Sequence, residues 1–301
     1  MKTTRLHATE PRPHRRAQTA FALAAALLLV LSAALLAGCA SEAQADDSGS
    51  TPAGGTSSTP AAATKLVVGA AQVPHAELLE FVKPALAEQG VDLEVIVPTD
   101  ESNLNQLTEN KEIDVNFFQH KPYLDSVVAE KGYQLVSVGG IHVEPIGAYS
   151  DRYASTAQLP DNATVAIPND ATNEYRALRI LEEAGLIKLK SNIDPVTTTK
   201  GDIESYLKPL TIVELEAGLI VRTHDEYDLY ITNTNRVIEG GLDASSYLFR
   251  EGANSPYANI VVTRAERANE PAVQALYRAL RTPEVKSFIE DKYQGAVVPA
   301  F

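Results

Sequence analysis

An uncharged apolar segment near the N-terminus constrains this chain more than any other feature of its sequence. Residues 20–37 carry no charge, five basic residues precede them, and Gly38 and Cys39 follow directly. Basic residues, an apolar segment and small residues at a cleavage point are the three parts of a secretory signal peptide. A transmembrane helix is the alternative, but the segment is near the lower length limit for spanning a bilayer. We therefore predict that residues 1–38 form a cleaved signal peptide.

Cys39 is the only cysteine of the chain and ends the sequence Leu36-Ala37-Gly38-Cys39. This sequence resembles a bacterial lipobox, in which the cysteine is diacylated and becomes the new N-terminus after cleavage. Two acyl chains anchor a protein stably, whereas one gives only marginal membrane affinity. The resemblance therefore implies lipidation at Cys39 and a place at the cell membrane, on its extracytoplasmic face.

The segment that follows Cys39 has the composition of a tether. Residues 40–64 contain no large apolar side chain and are rich in Ser, Thr, Ala, Gly and Pro. Such a segment cannot bury enough surface to offset the entropy lost on ordering. We assign residues 39–64 to the lipidated cysteine and a disordered tether.

The charge of the mature chain excludes one class of partner. Removal of residues 1–38 leaves 21 basic and 38 acidic side chains, a net charge of −17. Nucleic-acid binding depends on many Lys and Arg contacts to phosphates. We therefore expect no nucleic-acid partner.

Strand-like and helix-like segments alternate from Lys65 to the C-terminus. Strands are predicted at 65–71, 91–97, 113–117, 135–149, 164–167, 212–215, 227–231 and 259–263, and helices at 76–89, 104–107, 122–132, 172–184, 219–224, 271–281 and 283–293. This alternation is typical of α/β proteins with parallel sheets. It occurs in two blocks, which favours two lobes with a ligand cleft between them.

Several motifs carry a resemblance to a known family. They read EIDVNFFQHKPYL at 112–124, EPIG at 144–147, VAIPNDATNEYR at 165–176, IVELEA at 212–217, ITNT at 231–234 and SPYANIVVTR at 255–264. In this order they resemble the NlpA family of methionine-transporter substrate-binding lipoproteins. The resemblance implies a type II periplasmic-binding-protein fold that delivers L-methionine or a methionine derivative to an ABC permease.

The same resemblance predicts how the chain divides between the lobes. Residues 65–147 and 255–301 would form lobe 1, residues 148–254 would form lobe 2, and two crossing strands would join them. A binding protein of this kind needs neither a cofactor nor a metal, and it is not an enzyme.

Asn173 and Arg176 are the predicted carboxylate-binding pair. They stand three residues apart at the start of a helix, so they share one face, and the helix N-terminus adds partial positive charge. An Arg can hold a carboxylate with two parallel hydrogen bonds. The resemblance gives both residues this role, while a solvated Arg in a surface ion pair is the alternative.

Asn233 and Glu144 are the candidates for the ligand ammonium. Asn233 follows a buried strand at the point where it opens into the cleft, and the matching Asn binds ligand in the family. Its alternative role is to satisfy its own turn. Glu144 lies on the crossing segment and would add a negative charge, or else form a structural salt bridge.

Phe117, Phe118 and Tyr123 flank His120 and are the candidates for the side-chain pocket. A thioether is polarizable and packs well on aromatic rings. Because neighbours in a strand point to opposite faces, one of the two phenylalanines is expected in the core. The resemblance places His120 at the pocket, although a lone His is more often structural.

Three positions depart from the family pattern. Glu101 stands where the family has an aromatic residue of the side-chain pocket, Tyr175 replaces a Gly, and Gly218–Arg222 lacks the usual Pro-Gln-Leu-Pro-Arg. A carboxylate is an unfavourable neighbour for a thioether, and Glu101 could instead face a polar or cationic ligand group, or solvent. These departures keep another amino acid or a short peptide open as the ligand.

Other functional classes remain as alternatives. A metal carrier would use His75, His120 and His142, but metal sites need several converging ligands. An enzyme on the same fold is the second alternative, but no nucleophile–base pair follows from the spacing, and the sequence has no HExxH, CxxC, G-x-S-x-G or nucleotide-binding glycine loop. An envelope lipoprotein without a transport role is the third alternative.

Overall fold

The computed structural model describes residues 62–252 and 255–301. The predicted signal peptide, Cys39 and most of the predicted tether lie outside these residues. Within the described part of the chain, the structure has no helix whose length and hydropathy would let it cross a membrane.

Strands and helices alternate along the described chain, largely at the predicted places. The first elements are β1 Thr64–Ala70, α1 Glu77–Glu88, β2 Val91–Ile96, α2 Leu104–Glu109, β3 Val115–His120, α3 Lys121–Lys131 and β4 Leu135–Val143. The next are β5 Ile146–Tyr149, β6 Ala163–Pro168, α4 Ala171–Glu183, β7 Ile187–Leu189, β8 Ile203–Tyr206, β9 Leu210–Leu215, α5 Ala217–Arg222, β10 Leu229–Asn233, α6 Thr234–Glu239 and β11 Phe249–Arg250. The last are β12 Ala258–Arg264, α7 Pro271–Ala279, α8 Pro283–Tyr293 and β13 Val298–Pro299.

Two mixed sheets form the centres of two lobes. The first sheet has the order β13-β4-β12-β3-β1-β2 and the second has the order β11-β5-β10-β6-β9. Pairs β1–β2 and β1–β3 are parallel in the first sheet, as are β6–β9 and β6–β10 in the second. Strands β12 and β5 pair antiparallel with their neighbours, so each sheet also has an antiparallel side. The predicted α/β class with two lobes is confirmed.

The chain changes sheets at two places. It leaves the first sheet after β4 and enters β5 at Ile146, so that Glu144 and Pro145 connect the sheets. It returns between β11 and β12, across residues 251–257. We call residues 62–143 and 258–301 the first lobe, residues 146–250 the second lobe, and the two connections the crossing segments.

Each lobe has its own hydrophobic core. In the first lobe, β1 residues Leu66 and Val68 pack with residues of α1, α7 and α8, and both are completely buried. In the second lobe, Val165 of β6 and Leu178 of α4 are also completely buried. The two cores are separate, and polar side chains at the strand ends lie between them.

Candidate functional site

Three strand ends bring polar side chains together between the lobes. Strand β3 of the first lobe ends at His120, while β6 of the second lobe ends just before α4 and β10 ends at Asn233. Ligands of open α/β sheets bind outside the carboxyl ends of the strands. The predicted residues His120, Asn173, Arg176 and Asn233 all lie at this point.

The side-chain oxygen of Asn173 joins the other three residues. Asp170 caps α4 and accepts hydrogen bonds from the Asn173 backbone N–H and from its Nδ2, at 3.0 to 3.1 Å. This turns Asn173 Oδ1 into the cleft. There it accepts from His120 Nε2 at 3.2 Å, Arg176 Nη1 at 3.0 Å and Asn233 Nδ2 at 3.2 Å. We call this arrangement the Asn173 hub.

His120 reaches the hub as a neutral donor. Its Nδ1 accepts a hydrogen bond from the Tyr123 backbone N–H at 3.2 Å, so the ring proton lies on Nε2, which points at Asn173. Burial and the charge of Arg176 lower the pKa of His120 to about 3. His120 therefore links the first lobe to α4 of the second through a directed N–H group, without a charge.

Asn233 also uses its side chain across elements. It begins α6, yet its side chain does not cap that helix and donates to Asn173 instead. The alternative of an Asn that satisfies its own turn therefore does not describe Asn233.

Arg176 is one of the largest completely buried side chains of the described chain, with 1% of its surface exposed. Its Nε and Nη2 donate to Glu251 at 3.2 and 2.5 Å, and Nη2 also donates to the Glu144 carbonyl at 2.9 Å. With the bond to Asn173, four of its five N–H groups have partners among the described residues. The Tyr257 ring stacks on the guanidinium at 4.3 Å. A solvated surface Arg is therefore excluded.

The partner of Arg176 changes the expected carboxylate site. The two parallel bonds predicted for a ligand are made to Glu251, which lies on the second crossing segment and keeps 17% of its side chain exposed. A ligand carboxylate that takes both parallel bonds must first displace Glu251.

Glu144 is buried beside two histidines of the first lobe. Its Oε1 accepts from His142 Nε2 at 2.8 Å and lies 3.4 Å from His75 Nε2, which also contacts Asn259 Oδ1 at 3.0 Å. Burial raises the pKa of Glu144 to about 7, and it lowers the pKa of His75 to about 4 and of His142 to about 3. Near neutral pH, the Glu144 carboxyl is therefore partly protonated and partly ionised, and the two imidazoles beside it are uncharged.

The histidines do not group as the metal-carrier alternative requires. Potential donor atoms of His75, His142 and Glu144 lie within 4.8 Å of one another. His120, the third expected ligand, is bonded to Asn173 and Tyr123 instead. The structure thus replaces the three-histidine set with two histidines and a carboxylate.

The two phenylalanines have different environments, and β3 contains a bulge at the second of them. Ile260 of β12 pairs with Gln119 and Val261 pairs with Phe117, which leaves Phe118 as the extra residue. Phe117 is completely buried in the first core, 4.6 Å from the His75 ring. Phe118 is half-buried and meets the Tyr123 ring edge-on at 6.2 Å. Phe117 thus serves core packing, and Phe118 and Tyr123 are the aromatic pair nearer the surface.

Glu101 faces a guanidinium of the other lobe. Its Oε2 lies 2.7 Å from Arg236 Nη2 and its Oε1 lies 3.2 Å from Arg236 Nη1. The sequence left a polar or cationic ligand group and solvent open for this carboxylate, whereas the structure pairs it with a cationic side chain of the protein itself.

Three residues of the site were absent from the sequence prediction. Arg236 stands one helical turn after Asn233, and this spacing could have indicated a shared face. Tyr257 lies within the SPYANIVVTR motif, although no pattern assigned it a role. Glu251 carries no sequence signal, since it meets Arg176 only through the return of the chain between sheets.

A cavity between other parts of the two lobes lies away from the hub. It has a volume of about 440 Å³ and is lined by residues of both lobes that include Val73, Ile238, Tyr247, Arg250 and Lys292. None of the eight predicted ligand residues lines it. We place the candidate site at the Asn173 hub because the converging polar groups, rather than the free volume, identify it.

Comparisons with known proteins identify relatives of this chain. The family model for NlpA lipoprotein matches residues 66–301. The methionine-binding lipoprotein MetQ of Bacillus subtilis is 37% identical over 240 residues, which cover 78% of this chain and 88% of that protein. Outer membrane lipoprotein 3 of Mannheimia haemolytica is 40% identical over 236 residues, covering 78% and 89%.

A solved structure extends the comparison to the fold. A nutrient binding protein from Burkholderia cenocepacia, bound to methionine, matches with a TM-score of 0.76 and 36% identity. The match covers 78% of this chain and 100% of that one. The similarity therefore spans both lobes and the crossing segments between them.

Proposed function

Because the chain belongs to the NlpA lipoprotein family, we propose that it is the substrate-binding lipoprotein of an ABC importer and captures L-methionine or a methionine derivative. The ligand would bind between the two lobes and pass to the permease. The Asn173 hub carries this proposal. It joins His120 of one lobe to Arg176 and Asn233 of the other through a single amide oxygen.

Each end of an amino acid has a partner in the proposed site. The ligand carboxylate displaces Glu251 and takes the parallel N–H groups of Arg176, since a charge-assisted fork is among the strongest hydrogen-bonding arrangements. The ammonium is accepted by Asn233 and by the ionised form of Glu144. Phe118 and Tyr123 contact the thioether, for which aromatic rings are favourable neighbours.

The proposed function also requires that the protein is anchored to a membrane. Lipidation of Cys39 would anchor the protein on the extracytoplasmic face of the cell membrane, and residues 40–64 would tether the binding lobes near the permease. A flexible segment of that length has a root-mean-square reach of roughly 28 Å. This keeps the lobes within reach of a membrane partner during ligand transfer.

A different amino acid or a short peptide is the alternative ligand. The Glu101–Arg236 pair makes one part of the cleft more polar than a purely aromatic methionine pocket. An envelope lipoprotein without transport role is disfavoured by a preserved set of Asn173, Arg176 and Asn233. We propose binding rather than catalysis for every one of these ligands.

A divalent cation is the second candidate ligand, because His75, His142 and Glu144 bring two imidazoles and a carboxylate together. The arrangement favours an amino acid more strongly. The Glu144 carboxylate and both Nε2 atoms already have hydrogen-bond partners, although the two Nδ1 atoms have none among the described residues, and Arg236 lies close enough to His75 to oppose a second positive charge.

Thermal-shift measurements test the proposal directly. The full chain is unfolded and refolded to remove carried-over ligand, and its melting temperature is then measured with each of the twenty amino acids and with Zn²⁺. A ligand that binds only the folded state raises the melting temperature by mass action. We expect a shift with L-methionine; a shift with another amino acid alone, or with Zn²⁺ alone, would select the corresponding alternative.

Two arginines of the same helix provide a matched pair of variants. Arg176→Ala should abolish the amino-acid shift, because it removes the carboxylate partner. Arg179→Ala is the control, since Arg179 lies one turn later on α4 and pairs with Glu182 at the surface. Amino-acid binding that survives Arg176→Ala would show that the site is elsewhere.

A further inference from the structure

One ion pair connects the two lobes directly. Glu101 belongs to the first lobe and Arg236 to α6 of the second, and two hydrogen bonds of 2.7 and 3.2 Å join them in a fork. The Glu101 side chain is 11% exposed and that of Arg236 is 25% exposed. Water therefore screens the pair only in part.

The other ion pairs of the described residues do not span the lobes in this way. Arg176–Glu251 joins the second lobe to a crossing segment, and the His75 and His142 contacts end on Glu144 of the other crossing segment. The remaining pairs stay within one lobe, as Arg152–Asp228 does in the second. Glu101–Arg236 is thus the single direct ion pair between lobes within 62–252 and 255–301.

Both partners are held in place by their own lobe. Asp100 accepts a hydrogen bond from the Ser102 backbone N–H at 2.9 Å, which fixes the short turn that carries Glu101. On the other side, Arg236 Nη1 also donates to Glu239 Oε2 at 3.1 Å. The fork is therefore preorganised, and little side-chain freedom is lost when the lobes meet.

The same side of α6 makes a second contact to the first lobe. Glu239 Oε1 accepts a hydrogen bond from the Val73 backbone N–H at 3.4 Å. Asn233, at the start of this helix, belongs to the Asn173 hub one turn away from Arg236. Opening of the cleft must break the Glu101–Arg236 fork at a position adjacent to the proposed ligand site.

We propose that Glu101 and Arg236 form an interlobe latch that holds the cleft closed over its ligand and sets the rate at which the ligand leaves. The ligand in this statement is the amino acid of the proposed function, on which the inference rests. Removing one partner of a buried charged pair acts mainly on dissociation and leaves the other charge poorly paired.

Charge-neutral and charge-swapped variants of the full chain test the latch. Glu101→Gln keeps the size of the side chain but removes its charge, and Arg236→Gln removes the opposite charge from the other lobe, with a shorter side chain. We expect dissociation of radiolabelled L-methionine to accelerate about tenfold or more in each. The exchanged variant Glu101→Arg with Arg236→Glu, combined with Glu239→Gln so that the new carboxylate does not face a second one, should recover most of the loss. Arg152→Gln, which breaks a pair inside one lobe, should leave dissociation unchanged.

A second measurement separates the latch from the identity of the ligand. Hydrogen–deuterium exchange of the unliganded full chain reports cleft opening at the backbone amides of residues 120–123 and 170–174. Faster exchange in Glu101→Gln than in Arg152→Gln supports the latch even if L-methionine is not bound. Equal exchange in both variants, or ligand dissociation within twofold of the original chain, would overturn it.

Discussion

Ligand affinity should depend on pH through Glu144, because this carboxyl changes its charge close to neutrality. Burial raises its pKa to about 7, while the neighbouring His75 and His142, with pKa values of about 4 and 3, stay uncharged from pH 6 to 8. Among the neighbouring charges, Arg236 and Arg176 lower the pKa of Glu144 and Glu101 raises it. The ligand ammonium keeps its proton over this range, so Glu144 is the group of the proposed site expected to titrate. Burial also raises the pKa of Glu174 to about 7, but this carboxyl contacts the Lys200 backbone rather than the proposed ammonium position.

The size of the effect follows from the ionised fraction. With a pKa of about 7, about one Glu144 in eleven is ionised at pH 6 and about ten in eleven at pH 8. An ammonium stabilises the carboxylate form, so binding at pH 6 must release a proton from most molecules. We therefore predict that affinity for the amino acid increases about tenfold from pH 6 to pH 8.

Isothermal titration calorimetry checks both parts of this prediction. Titrations at pH 6 in two buffers of different ionisation enthalpy should report the release of about 0.9 proton per ligand, and at pH 8 of about 0.1. Glu144→Gln should bind more weakly and lose the pH dependence, since the amide does not titrate. An affinity that stays constant over the range, or the same pH dependence in Glu144→Gln, would refute the ammonium role of Glu144.

Three further predictions concern the fork of Arg176, the first core and acid stability. Glu251→Gln should raise amino-acid affinity several-fold in a calorimetric titration, because the ligand carboxylate no longer competes with a charged side chain; a fall in affinity would mean that Glu251 positions Arg176 instead. Phe117→Ala should lower the free energy of unfolding in urea by about 3–5 kcal/mol, since this ring is completely buried, whereas a change below 1 kcal/mol would contradict its place in the core. Between pH 7 and 5, the lowered pKa values of His75 and His142 should each reduce the free energy of unfolding by about 2 kcal/mol, because only the unfolded state takes up those protons. The raised pKa of Glu144 has the opposite effect and adds about 2 kcal/mol, because the folded state takes up that proton first. Melting curves should therefore show a larger loss of stability in acid for Glu144→Gln than for the original chain.

The sequence determined most of the local structure and half of the candidate site. Strand and helix periodicity gave nearly all of the longer elements, whereas β7, β8, β11 and α6 are too short or irregular for a periodic pattern to register. The three-residue spacing of Asn173 and Arg176 indicated a shared helix face. The strand end placed Asn233 at the cleft. These features depend on backbone geometry over a few residues, which a sequence expresses directly.

Tertiary structure alone decided which groups these side chains meet. Glu251 lies 75 positions from Arg176 and Glu101 lies 135 positions from Arg236, so no local spacing relates them. The packing of the first lobe similarly decided that Phe117 enters the core and Phe118 does not. Hydrogen bonds and ion pairs form where sheets and crossing segments bring atoms within about 3 Å. The packing of whole lobes determines which atoms come within this distance of each other. The identity of the two residues then determines which kind of bond they form.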